Sequence, residues 1–160
     1  MKLNTKQVRN ILTGMNRISE EIKAERLRLE TGTSFAVAIA KKKLVPISEA
    51  FDEAHQDILD QYVTKDESGQ MKKIPAVTDK DGNVVVPEQW DLGVNLPSYQ
   101  KDVKALYLNE TEVERLEPIK LSDFKTKKLK SKSGKKEDEQ DSDIDPDILF
   151  LLTPWLILED

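Results

Sequence analysis

TKQVRNILTGMNRISEEIKAERLRL, residues 5–29, sets Val8, Ile11, Met15, Ile18, Ile22 and Leu29 at alternating steps of three and four, with Glu25 at the one seam position that breaks the pattern. That spacing is a heptad stripe along one side of a helix. Asn4 or Thr5 can cap its amide end, and Gly32 in Thr31-Gly32-Thr33 supplies the left-handed conformation that ends helices. A second stripe, Val37, Ala40, Leu44, Ile47, Phe51, Ala54 and Ile58, keeps the same phase from after Ser34 to near Tyr62. Proline lacks an amide and crowds the preceding turn, so Pro46 predicts a kink, or two helices joined near 43–46 with Ser48 as a cap. The unbroken phase favours the kink. Two amphipathic helices across a short connection fold most economically as an antiparallel hairpin.

A hairpin alone leaves one side of each stripe open to water, and one buried stripe does not offset the cost of ordering two dozen residues. Later segments or a second copy must cover it. The expected self-association seam is Val8, Ile11, Met15, Ile18 and Ile22 on the first helix, with Leu44, Ile47, Phe51 and Ile58 on the second.

Helical periodicity stops at Lys65-Asp66-Glu67-Ser68-Gly69. Met71–Thr78 and Val84–Val86 read as short strands around Asp79-Lys80-Asp81-Gly82-Asn83, whose Asp-Gly pair suits a hairpin loop, and Pro75 demotes the first to an edge. Trp90 and Leu92 lie in an irregular link, Ser98 can cap a short helix carrying Tyr99, Val103, Leu106 and Tyr107, and 112–121 reads as a final strand. From Lys125 to Lys136 there are seven lysines and no acid, and from Glu137 to Asp147 seven acids and no base. Such blocks predict a disordered linker. The chain ends in an apolar peptide in which Ile148, Leu149, Phe150, Trp155 and Leu156 are anchors for docking, either back onto the chain or onto another viral or host protein. The expected division is therefore a helical hairpin at 1–64, a small β-hairpin, helix and strand region at 65–124, a charged linker at 125–147 and a docking peptide at 148–160. The fold class is α+β.

Composition limits the chemistry. Of 160 residues, 38% are apolar and 34% charged, with a net charge of −5, against roughly 45–50% apolar (counting Gly) and about 25% charged in an ordinary domain. With no Cys and the single His55, the sets that zinc and iron–sulfur sites need are missing, and no phosphate loop, dinucleotide fingerprint or nucleophile elbow occurs. The Asp79–Asn83 run lacks the spaced oxygens and closing glutamate of a calcium loop, and His55 reads as a rim residue. Glu110, Glu112, Glu114 and Glu117 read as a solvated acidic edge. The sequence thus predicts a non-enzymatic protein without catalytic, cofactor or metal residues. It also predicts no membrane association, because no stretch reaches roughly 20 apolar residues and the N-terminus lacks a secretory h-region.

Charge is unevenly placed: 1–45 carries ten bases and four acids, and 46–124 eight bases and seventeen acids. Lys41, Lys42 and Lys43 are candidate phosphate contacts, with the competing reading, favoured by the negative net charge, that they face the acidic half of the chain.

The basic helical start, Phe35-Ala36-Val37-Ala38-Ile39-Ala40-Lys41, the stretch Phe51–Tyr62, the Asp81-Gly82 turn and Glu112-Val113-Glu114 leading to Ile119-Lys120-Leu121 together resemble a small uncharacterised protein family encoded by tailed bacteriophages. The resemblance covers about 1–124 and brings no catalytic residues. It implies a viral accessory or assembly factor; with the self-association expected from the helix seam and the lack of a secretory or membrane segment, the expectation is a homo-oligomer that joins other proteins in the host cytoplasm or on the virion. An inhibitor that binds a host protein through the acidic half, and a nucleic-acid-associated protein, are the alternatives.

Overall fold

Asn4 opens the first helix as the sequence predicts. In the computed structural model, which describes residues 1–123 and 144–157, its side chain accepts from the Gln7 amide at 2.9 Å while Gln7 Oε1 accepts from the Asn4 amide at 2.9 Å. This reciprocal box starts α1 (Thr5–Lys23). The architecture is α+β: two long helices, two short ones and small antiparallel sheets, with one parallel strand pair.

Helix α1 stops at Lys23, six residues short of the predicted end. Glu25, not Gly32, takes the left-handed conformation, with φ 57°. The charged seam position offers nothing to bury, so the chain turns there, and Leu27 and Leu29 reach the core from a loop. Gly32 instead lies in the first turn of α2 (Thr31–Tyr62), which runs through Pro46 as a single helix.

The chain divides into two compact units, Met1–Glu49 with Asn109–Asp160, and Ala50–Leu108. The division falls inside α2, between Glu49 and Ala50.

In the first unit, β1 (Lys2–Asn4) pairs antiparallel with β6 (Glu110–Glu112), and β7 (Ile119–Lys120) pairs parallel with β8 (Leu156–Ile157). The predicted single strand over 112–121 is thus two strands, separated by a turn at Arg115 with φ 54°. Asp145 caps α4 (Pro146–Leu152), its carboxylate accepting from the Asp147 amide at 2.8 Å, with Pro146 in the first turn where its missing amide costs nothing. Of the linker read at 125–147, 125–143 lie outside the described residues, whereas Ile144 is already buried. Helix α4 lies along α1 so closely that a Cβ on Gly14 would stand 2.9 Å from Leu152 Cδ2. One core results: Val8, Ile11, Met15 and Ile18 of α1, Val37, Ala40 and Leu44 of α2, Val113 and Leu116, then Ile148, Leu152, Trp155 and Leu156.

The second unit holds the rest of α2, a β-ribbon and α3 (Leu96–Leu108), which begins at Leu96 rather than after a Ser98 cap. In the ribbon β2 (Lys73–Ile74) pairs with β5 (Gln89–Trp90) and β3 (Val77–Thr78) with β4 (Val84–Val86). Both pairs belong to one hairpin interrupted by Pro75 and Pro87, which cannot donate to a ladder. Strand β5 thus replaces the irregular link that the sequence predicts around Trp90.

Candidate functional site

The seam expected to bind a second copy is mostly inside the first unit. Val8, Ile11, Met15, Ile18 and Leu44 are at most 1% exposed, covered by α4 and by Val113 and Leu116 of their own chain. Ile47 is half-buried against that core and Ile22 is exposed, while Phe51 is buried and Ile58 half-buried in the second unit. Of the two coverings left open by the sequence, the later segments supply this one.

The terminal peptide likewise docks on its own chain. Ile148, Trp155 and Leu156 are buried and Leu149 half-buried, and the Trp155 indole donates to the Glu117 carbonyl at 3.0 Å. Phe150 alone of the five anchors faces water, 75% exposed.

The lysine triplet is largely engaged. Lys41 donates to Asn16 Oδ1 at 2.7 Å, and Lys43 donates to the carbonyls of Glu114 and Arg115, the second contact being the shorter. Lys42 is exposed. Lys43 thus meets the acidic half through backbone carbonyls, and Lys41 meets a neutral amide within 1–45.

Helix α3 is fastened to α2 by polar aromatics that the sequence did not assemble. His55 Nε2 lies 2.8 Å from the Tyr99 hydroxyl, and the Tyr62 hydroxyl donates to Asp102 Oδ2 at 2.5 Å. The His55 ring stacks on Tyr99 and meets Tyr107 edge-on. The hydrogen bond to Asp102 raises the Tyr62 hydroxyl above its ordinary value, and desolvation does the same for Tyr99. Both phenols therefore stay protonated at neutral pH; Tyr62 donates to Asp102, while the direction of the His55–Tyr99 bond follows the imidazole tautomer. The group is a half-buried fastening.

Asp79 is committed to its own loop. Its carboxylate accepts from the amides of Asp81 at 2.9 Å and Asn83 at 2.8 Å, the Asn83 contacts doing most to hold its pKa below the usual carboxylate range. Gly82, at φ 84°, closes the turn. No group of three or more potential metal ligands occurs among the described residues.

Two surfaces remain open. In the first unit a cleft of about 520 Å³ lies between Phe35 and Ile39 of α2, the segment 115–120, and Trp155 and Ile157. The other surface is the second unit as a whole. Phe51, Leu59 and Val63 are its buried residues, and from 64 to 108 no side chain is buried at all. Ile74, Val77, Val84, Val85, Val86, Trp90, Val94, Leu96 and Leu108 are exposed, with Val85 at 63% and Val94 at 94%. A free-standing domain rarely leaves so much large apolar surface in water.

The sequence reading found the hairpin but not this surface. The available signal was Val84-Val85-Val86, since successive strand residues face opposite sides and three valines in a row leave at least one off any single core. Among the described residues no helix is long and apolar enough to cross a membrane. No family model, curated protein or solved structure matches the chain.

Proposed function

We propose that the chain is a non-enzymatic protein–protein interaction component whose second unit is completed by another polypeptide, while its first unit is closed by the terminal peptide. The observation that carries this is the absence of any buried side chain from 64 to 108 beside a valine-rich ribbon open on both faces. Apolar surface of that extent gains free energy when a partner covers it. The resemblance to a phage-encoded family supports assigning the role to particle assembly or to an accessory structural component.

A second reading, an inhibitor that grips a host protein through acidic surface, draws support from α2. Asp52, Glu53, Asp57 and Asp60 fall on one exposed helical stripe, and no Lys or Arg occurs from 44 to 64.

Affinity purification from the native setting, with the full chain and with Val85→Lys, tests the main reading. The unaltered chain should retain a stoichiometric protein that the variant loses, with both chains melting at the same temperature. Equal recovery by both chains would contradict it. Incorporation of the captured complex into particles distinguishes the structural role from the inhibitory one.

A further inference from the structure

Strand β4 belongs to a two-stranded sheet, so among the described residues one of its edges has no ladder partner. On that strand Val84, Val85 and Val86 are all exposed. The pairing shifts register here: Val77 faces Val86 and Thr78 faces Val84, which leaves Val85 as the extra residue of an irregularity. Natural edges are kept from pairing by shortness, a charge, a proline, a bulge or cover by another element; β4 is short and carries the irregularity at Val85, but it has no charge and its three valines are uncovered. Pro87 follows at once and limits an added strand to a few residues.

Resting on the reading of the second unit as an open docking module, we propose that the β4 edge takes up an extended segment of another protein, apolar at its centre and flanked by lysine or arginine. Backbone pairing along the edge would seat the strand, and its alternate side chains would meet valines on either face. Because Pro87 keeps that pairing short, the flanks have to contribute. Their sign follows from the charge of the unit, eleven acids against six bases from 50 to 108, including the base-free acidic stripe of α2. The summed field draws a cationic segment and repels a second copy of the same unit, which brings the same excess of acid.

The test uses the full chain, isotopically labelled, and two synthetic strands that share a Thr-Val-Thr-Val-Thr centre. One is flanked on each side by two lysines and the other by two glutamates. The lysine-flanked strand should shift the amide signals of 84–86 and lose about tenfold in affinity between low and moderate salt, as screening of a few charge pairs requires. The glutamate-flanked strand should shift nothing. Val85→Lys should abolish the response while leaving the signals of 73–78 and the melting temperature in place. Equal binding of both strands would overturn the charge requirement and leave the open module standing. No response to either strand overturns the proposal. If the chain then sediments as a dimer that Val85→Lys dissociates, the occupant is a second copy; if it is a monomer with slowly exchanging amides from 64 to 108, the docking module falls as well.

Discussion

Gly14 marks the place where α4 comes close against α1 through Leu151 and Leu152. A Cβ there would stand 2.9 Å from Leu152 Cδ2 and 3.2 Å from Leu151 Cβ, and Leu152 is fully buried. Gly14→Leu is therefore expected to lower stability by about 2 kcal/mol through overpacking, although leucine favours a helix by ~1 kcal/mol over glycine. Thermal melts decide it, because a rise in melting temperature would mean that α4 does not lie on this face. Asp79 gives a pH dependence of known sign. Its carboxyl is held below the ordinary value of 3.8 by the loop it closes, chiefly through Asn83. The carboxylate thus contributes to hairpin stability above that value, and the contribution is lost as pH falls through the depressed folded value. The Val77 and Val86 amide signals should move toward random-coil positions in that acid window. In Asp79→Ala that acid-dependent movement should be absent.

Helix α2 carries Pro46 in its interior, where no amide is available for the carbonyl four residues back and the ring crowds the preceding turn. Pro46→Ala is expected to raise stability by about 1–3 kcal/mol, read as an increase in melting temperature. Strand β8 and the turn before it depend on Trp155, which is 1% exposed and donates to the Glu117 carbonyl. Trp155→Ala should cost about 3–5 kcal/mol and remove the buried component of the tryptophan fluorescence, leaving the more exposed Trp90. The elements that could be read from sequence are those whose cause is local. The Asn4 cap, the three-four stripes and the Asp-Gly turn each lie within a few residues of what they determine. The elements missed are those made by distant partners: β1 needs β6 more than a hundred residues away, and the parallel β7–β8 pair needs the terminal peptide. The end of α1 was misplaced because Leu29 continues the stripe in phase although Glu25 has already turned the chain.

At the scale of the whole molecule, the two units differ in what they bury. In the first, stripes that looked available for self-association are covered by α4 and by 113–116, so the chain closes its own seam. In the second, only Phe51, Leu59 and Val63 are buried, a contrast hard to read from residue types because a valine reads as a core residue until its neighbours are known. Local stability follows buried contacts, so the two units should open with very different free energies. Amide hydrogen exchange on the isolated full chain measures that difference directly. The account predicts slow exchange for α1 and the buried turns of α4, and exchange faster by at least roughly a hundredfold for the ribbon from 73 to 90. Ribbon amides as strongly protected as those of α1, in a chain that sediments as a monomer, would contradict it.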